Sequence, residues 1–288
     1  MNVQPPPQPS PASRGREINL VLGGHSFIAQ LGNDPPADAK EQAEIVSACL
    51  DQGICWFDTT YQPERVALGR ALKRLGRRDE VTIIAWNFFK DFGPGEDTGG
   101  PGCYQPHHID AMLEQLQVDR IDCLVVHPLS DPDQNHRQEE LAAAWQARGY
   151  VGQLGTWHPG PDAEAVYGLG NPYRFMVRPY NVTTGDAAPA FAAAKRLGWQ
   201  TLACSPFVRG WELDRLAQNA MRMGQGSQDD VRARLADHML RYSLFQPDVD
   251  RLIVSIRRLE WVTANAASAN AGPLSNEEVA WLQQAALV

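Results

Sequence analysis

Short apolar runs alternate with amphipathic segments along most of the chain. We interpret eight of the runs as strands: residues 18–24, 54–60, 81–86, 123–129, 151–157, 174–181, 200–207 and 251–257. Several of them, such as VTIIAW and CLVV, are apolar at nearly every position. Such runs are typical of strands that are covered on both faces, as in a parallel sheet.

The intervening segments have the spacing of helices. Apolar residues recur at helical intervals in 35–53, and similar patterns follow in 64–76, 107–117, 138–149 and 188–198. Two further helical segments fill 210–244, and Ser275 and Glu278 form a capping-box pattern ahead of a closing helix. Eight strands separated by helices predict a (β/α)8 TIM barrel. An open doubly wound sheet is the alternative, but no GxGxxG pattern follows an early strand.

Composition narrows the function classes. The chain has 288 residues, a formal net charge of −8 and 43% hydrophobic residues. A negative surface argues against nucleic acid or anionic lipid as the main partner, and no apolar run approaches the ~20 residues that span a bilayer. We therefore expect a small-molecule substrate, with no nucleic-acid and no membrane partner.

The N-terminal composition indicates the domain bounds, and the cysteines indicate the redox compartment. Residues 1–16 are rich in proline and serine and lack the apolar stretch of a secretory signal, so they predict a disordered tail. Residues 17–288 are then a single barrel domain. The five cysteines are scattered without a CxxC pair, which favours free thiols in a cytoplasmic protein.

In a barrel of this type, the chemistry takes place at the carboxyl ends of the strands. Polar and aromatic residues follow the predicted strands at these ends: His25, Asp58, Tyr61, Trp86, His127, Trp157, His158, Tyr180, Asn181, Ser205 and Arg257. The Gly/Pro-rich segment 87–105 follows the third strand, and we expect it to cover the mouth of the barrel and shape specificity.

Five stretches, in this order, resemble the aldo-keto reductase family. WFDTTYQPERVALGRAL resembles its strand-two motif, and MLEQLQVDRIDCLVVHPL resembles the stretch that ends in the family histidine. ARGYVGQLG resembles the entry to strand five, CSPFVRG the turn that holds the cofactor pyrophosphate, and RLIVSIRRLEWVTANAASA the last strand and helix. The likeness runs across most of residues 18–270.

The resemblance implies an NADP(H)-dependent oxidoreductase acting on a small carbonyl or sugar-like substrate. Asp58 matches the family aspartate, His127 the histidine that orients the carbonyl, and Tyr61 is the nearest match to the tyrosine that donates a proton. Contacts to the cofactor are implied for a second set of positions: Ser205, Phe207, Gly210, Arg257 and Asn265.

The pattern departs from the family at the reactive end. The family lysine that lowers the pKa of the tyrosine is absent, and Trp86 stands at its position; Lys90 could substitute only by folding back. Tyr61 lies two residues closer to Asp58 than usual. The nicotinamide contacts also differ, and the positions concerned hold Trp157, His158, Val177 and Cys204.

Several interpretations stay open at this stage. The aromatic and imidazole side chains of His25, Trp86, Trp157 and His158 could line an apolar or sugar-stacking substrate pocket, or fill the core and turns. Three imidazoles and a carboxylate at four strand ends (His25, Asp58, His127 and His158) could instead hold a divalent metal for hydrolysis or elimination. The sequence carries no local metal motif, so no metal is assigned. A third alternative is a catalytically inactive barrel that binds a nucleotide.

Overall fold

The computed structural model describes residues 17–29, 37–90, 99–184, 187–223 and 227–287. The strands are β1 (Leu20–Leu22), β2 (Trp56–Thr59), β3 (Thr82–Trp86), β4 (Ile121–Val126), β5 (Val151–Trp157), β6 (Tyr173–Pro179), β7 (Gln200–Cys204) and β8 (Arg251–Val254). The helices are α1 (Ala39–Asp51), α2 (Gln62–Leu75), α3 (His108–Leu116), α4 (Pro132–Ala147), α5 (Ala163–Tyr167), α6 (Ala188–Arg196), α7 (Trp211–Arg222), α8 (Gln228–Leu244), α9 (Leu259–Ala271) and α10 (Asn276–Leu287).

The eight strands form a closed parallel barrel. Each strand pairs with its neighbours in sequence, and β8 returns to β1 with Leu252 opposite Leu20. The predicted (β/α)8 TIM barrel is therefore confirmed, and the open doubly wound sheet is excluded. Closure brings the carboxyl ends of all eight strands to one rim, so residues far apart in sequence can form one site.

Alternation along the strands decides which side chains enter the barrel. Ile84 and Trp86 of β3 belong to the interior cluster, while Ile83 and Ala85 pack outward in the cluster that includes the helices. Because side chains on a strand alternate between its faces, Trp86 follows Ile84 onto the inner face at the last position of β3. The Trp86 indole therefore lies inside the barrel at its mouth.

Caps fix the helices around the barrel. The Asp38 side chain accepts hydrogen bonds from the backbone N–H groups of Lys40 and Glu41 at 2.7 and 2.9 Å. At the last helix, the Glu278 N–H donates to Ser275 Oγ at 3.2 Å, and the Ser275 N–H donates to Glu278 Oε2 at 2.7 Å. The capping box predicted there is therefore confirmed.

Other sequence predictions have mixed outcomes. The five cysteines are free thiols, and Cys103 is the one among them that is not fully buried. In the described part of the chain, no helix is both long and apolar enough to cross a membrane. The disordered tail predicted for residues 1–16 lies outside the described residues.

Candidate active site

A cavity of about 970 Å³ opens at the rim formed by the strand ends. Its lining residues include two groups that differ in chemistry. The first group, called the aromatic lobe here, consists of rings and a carboxylate from the predicted catalytic and substrate positions: His25, Asp58, Tyr61, Trp86, His127 and Trp157. The second group, called the cofactor lobe, consists of the positions predicted to bind a cofactor: Ser205, Phe207, Gly210, Arg257 and Asn265. The barrel therefore brings all of these residues to one cavity.

Asp58 is the buried carboxyl group at the base of this site. It lies near the end of β2 and is 5% exposed. Its Oδ1 accepts a hydrogen bond from the Trp86 indole Nε1 at 2.5 Å. The indole thus occupies the place that the family resemblance gives to an ammonium, and it supplies a hydrogen bond without a positive charge.

The surroundings raise the pKa of Asp58 to about 7. Burial is the main cause, and the nearby Glu64 carboxylate adds to it. Hydrogen bonds from Trp86 and from the Gly24 N–H, together with the charge of His25, lower the pKa but do not outweigh burial. Asp58 therefore exchanges a proton near neutral pH, which suits a group that takes part in acid–base chemistry.

We expect Asp58→Asn to stabilise the protein at about pH 8. Because the pKa of Asp58 is higher in the folded protein than the ordinary value of 3.8, the unfolded chain ionises first and the folded state loses stability as pH rises toward 7. Asparagine keeps an oxygen to accept from Trp86 but cannot ionise. The gain in unfolding free energy should grow by on the order of 2 kcal/mol between about pH 5 and pH 8.

Urea titrations at both pH values measure this difference. Asp110→Asn is the matched control, because Asp110 is exposed on α3 and the change removes the same charge. A gain that is equal at the two pH values would contradict the raised pKa of Asp58.

A second buried carboxylate, Glu64, organises the loop that carries Tyr61. Glu64 is fully buried in the first turn of α2, and its Oε2 accepts from the backbone N–H groups of Thr60 and Tyr61 at 2.6 and 3.1 Å. Its Oε1 lies 2.8 Å from Nδ1 of His25. A side chain at Gly24 would not fit, since a Cβ there would lie 2.1 Å from Glu64 Oε2.

Arg65 stabilises the loop that carries Tyr61 through a second set of hydrogen bonds. Its fully buried guanidinium donates to Gln115 Oε1 at 2.7 Å and to the carbonyl oxygens of Thr60 and Phe88, both at 3.0 Å. One side chain therefore ties the loops after β2 and β3 to α3. As a result the Tyr61 ring, which is 6% exposed, packs edge-on against Phe88 with centroids 5.3 Å apart.

His127 leaves β4 into the aromatic lobe. Burial lowers its pKa, so the imidazole is neutral at neutral pH and one ring nitrogen is a donor while the other is an acceptor. Its Nδ1 lies 2.8 Å from the carbonyl oxygen of Pro128, which favours a proton on Nδ1. Its ring stacks on Trp157, with centroids 5.7 Å apart.

Two predicted participants, His158 and Lys90, are not among the described residues that line the cavity. The backbone of His158 has φ of 50° and its N–H donates to the carbonyl oxygen of Val177. Lys90 has an exposed side chain. Among the described residues that line the cavity there is no lysine, and the Trp86 indole is the side chain of β3 that contacts Asp58.

The cofactor lobe has the form of an anion cradle. Ser205 and Gly210 have positive φ values of 60° and 87°, and α7 begins directly after them at Trp211. The first N–H groups of a helix lack partners inside the helix and attract anions. The Arg257 side chain lines the same lobe and adds positive charge. These features fit the phosphate groups of a nucleotide cofactor.

The segment 87–105 is described only in part, because residues 91–98 lie outside the described residues. Phe88 lines the aromatic lobe. Tyr104 is buried instead, and its hydroxyl donates to the carbonyl oxygen of Val125 at 2.9 Å. The expectation that the segment covers the mouth and shapes specificity stays a prediction.

Four residues that organise the site went unassigned in the sequence analysis: Gly24, Glu64, Arg65 and Phe88. The glutamate three residues after Tyr61 has the spacing of a helix-capping group, which is the signal that could have identified it. The metal alternative finds no support, since no three His, Cys, Asp or Glu side chains of the described residues are arranged to hold an ion.

Comparisons with known proteins agree with this geometry. The model of the Aldo/keto reductase family matches residues 19–156, which hold β1 to β5. The holo form of an aldo-keto reductase from Bacillus halodurans superposes with a TM-score of 0.69 at 20% identity, covering 94% of this chain and 96% of that one. A protein from Pseudomonas aeruginosa that is named as an aldo-keto reductase gives 0.62 at 21% identity, with 88% and 90% covered.

A curated relative matches a shorter stretch. It is a protein of Arabidopsis thaliana named "Probable voltage-gated potassium channel subunit beta", 29% identical over 133 residues. The match covers 43% of this chain and 38% of that relative. The chain is thus a (β/α)8 barrel of the aldo-keto-reductase type. The resemblance to the aldo-keto reductase family is confirmed by the family match over residues 19–156, and the structural neighbours confirm the fold.

Proposed function

We propose that the protein is an atypical NADP(H)-dependent oxidoreductase that acts on a small carbonyl or sugar-like substrate. The observation that carries this proposal is the single cavity, which joins Asp58, Tyr61 and His127 to the anion cradle around Gly210. When bound, the cofactor supplies or accepts a hydride. The chain's own residues bind it, orient the substrate and move the proton.

The proton chemistry falls to the aromatic lobe. Tyr61 is the proposed donor to the developing alkoxide. His127 is the proposed group that orients the carbonyl substrate, and with its proton on Nδ1 its Nε2 would accept from a hydroxyl group beside the carbonyl. Asp58 is proposed as the polar group that assists Tyr61, and with a pKa of about 7 it can take up or release a proton near neutral pH. Because the described lining of the cavity holds no lysine and the neutral Trp86 indole contacts Asp58, the cation that the family resemblance implies is missing there, and we expect turnover to be slow.

The cofactor lobe holds the dinucleotide. The turn from Ser205 through Phe207 to Gly210 would hold the pyrophosphate, and Arg257 with Asn265 would hold the adenosine end. Trp211 and Trp261 also line this lobe, so their fluorescence should report binding.

A titration of NADPH into the purified protein, followed by tryptophan fluorescence, tests the proposal. We expect saturable quenching, with oxidation of NADPH that depends on an added aldehyde. Arg257→Met should weaken NADPH binding about tenfold or more, because a guanidinium–phosphate contact is lost. Arg137→Met, an exposed arginine on α4, should leave the affinity unchanged. Absence of binding would overturn the proposal.

A catalytically inactive nucleotide-binding barrel is the second candidate. The observation that favours it is the hydrogen bond from the Trp86 indole to Asp58, which leaves Asp58 without an ammonium partner at the end of β3. The same titration separates the two functions. Binding of NADPH without aldehyde-dependent oxidation would support the inactive barrel over the reductase.

A further inference from the structure

We propose that the aromatic lobe of the cavity binds an organic cation, held by six rings around the Asp58 carboxylate. The rings are called the aromatic box here and belong to His25, Tyr61, Trp86, Phe88, His127 and Trp157. This inference goes beyond the proposed redox function and does not depend on it.

The rings of the aromatic box contact one another in a continuous series. Centroid distances are 5.7 Å from His25 to Tyr61, 5.3 Å from Tyr61 to Phe88 and 6.4 Å from Phe88 to Trp86. The series continues from Trp86 to Trp157 at 5.4 Å and from Trp157 to His127 at 5.7 Å. Ring faces carry negative electrostatic potential, and aromatic cages of this kind bind alkylated ammonium groups.

Charge distinguishes the aromatic box from an ordinary apolar pocket. Asp58 lines it as a buried carboxyl group, and its hydrogen-bond donor at the end of β3 is the neutral Trp86 indole. The neighbouring Glu64 pairs with His25 at 2.8 Å. Among the described residues that line the cavity, the arginines are Arg232 on α8 and Arg257 after β8. The ring-lined end therefore has an excess of negative charge that a bound cation would balance.

A neutral sugar or carbonyl compound fits this electrostatic arrangement less well. A neutral compound could stack on Trp86 or Trp157, but it would not offset the free-energy cost of ionising the buried Asp58. An organic cation would contact the ring faces and would also neutralise the Asp58 carboxylate. The proposed occupant is a small alkylated ammonium compound.

Two pairs of probes with matched shapes test the proposal by calorimetry on the full chain. Choline is compared with 3,3-dimethyl-1-butanol, and 1-methylnicotinamide is compared with neutral nicotinamide. We expect choline to bind about tenfold more tightly than 3,3-dimethyl-1-butanol. A preference confined to the pyridinium would instead assign the aromatic box to the nicotinamide ring of the proposed cofactor and would overturn the proposal. No preference in either pair would overturn it as well.

Three variants locate the site. Asp58→Asn should abolish the preference for the cation, since it removes the charge and keeps the acceptor for Trp86. Trp157→Leu should weaken choline binding about tenfold or more, because it removes one ring of the aromatic box. Asp110→Asn, which removes an exposed carboxylate on α3, should bind as the parent does. Unchanged binding by Asp58→Asn would exclude the aromatic box as the site.

The pH dependence of cation binding by the parent protein gives an independent check, because it does not require any variant to fold. The titratable groups that face Asp58 are Glu64 on α2, His25 after β1 and Cys204 at the end of β7. Because the cation favours the ionised carboxylate and Asp58 has a pKa of about 7, affinity for the cation should rise from about pH 5.5 to pH 8.5. A flat profile in the parent protein would contradict the role of Asp58.

Discussion

Tyr61→Phe should lower turnover about 100-fold or more while it leaves NADPH affinity nearly unchanged. The substitution removes one hydroxyl group from a ring that lines the reactive lobe, and the anion cradle around Gly210 does not include it. Packing should persist, because phenylalanine keeps the edge-on contact with Phe88 and the stack on His25. The measurement is aldehyde-dependent oxidation of NADPH at saturation, with affinity from the fluorescence titration.

Tyr150→Phe is the control for this substitution, since Tyr150 is 38% exposed and lies outside the cavity lining. Equal rates for Tyr61→Phe and the parent would exclude Tyr61 as the proton donor. In that case Asp58→Asn tests whether Asp58 is the acid instead. If this variant has a much lower turnover, and its remaining activity no longer changes with pH near 7, the buried carboxyl group is the acid.

The barrel could be predicted because its signal is local and repeated. Each apolar run indicates a strand by its own composition, and each helix by its own spacing, so one irregular unit does not change the result. The positions of Asp58 and His127 follow from the same logic, since both come directly after strands whose ends must meet. Their presence in one cavity therefore required only the order of strands.

The electrostatics of the site could not be predicted in the same way. That Trp86 donates to Asp58 depends on the inward direction of the last residue of β3 and on the width of the barrel. That Glu64 is fully buried depends on the absence of a side chain at Gly24, which lies 40 residues earlier in the chain. Contacts of this kind depend on three-dimensional packing. The spacing of Glu64 after Tyr61 indicates a helix cap, but it does not indicate the burial of Glu64 against Gly24.

The misplacement of His158 has a related cause. It follows β5 directly, as a residue at the rim should, but its φ of 50° reverses the backbone and its N–H donates to the neighbouring strand at Val177. Burial and the charge of Arg178 lower the pKa of His158, so it is neutral beside that arginine. A position directly after a strand therefore predicts the rim but does not predict the direction of the side chain.

Arg65→Met should destabilise the protein by about 3–5 kcal/mol in unfolding free energy, the largest effect expected from any single change considered for this chain. Methionine retains much of the apolar stem, so the cost comes mainly from the lost hydrogen bonds. The carbonyl oxygens of Thr60 and Phe88 and the amide oxygen of Gln115 would each lose a buried donor. Urea denaturation measures the change.

The buried arginine keeps its charge in this setting, since burial lowers its pKa only to about 10. Arg65→Lys separates charge from geometry, because a lysine ammonium is a single point and cannot reach three acceptors held by a planar guanidinium. We expect the lysine variant to recover less than half of the loss. Arg70→Met, an exposed arginine on the same helix, should stay within about 0.5 kcal/mol of the parent. If Arg65→Met also loses no more than this, Arg65 does not hold the two loops, and the positions of Tyr61 and Phe88 must depend on Glu64 instead.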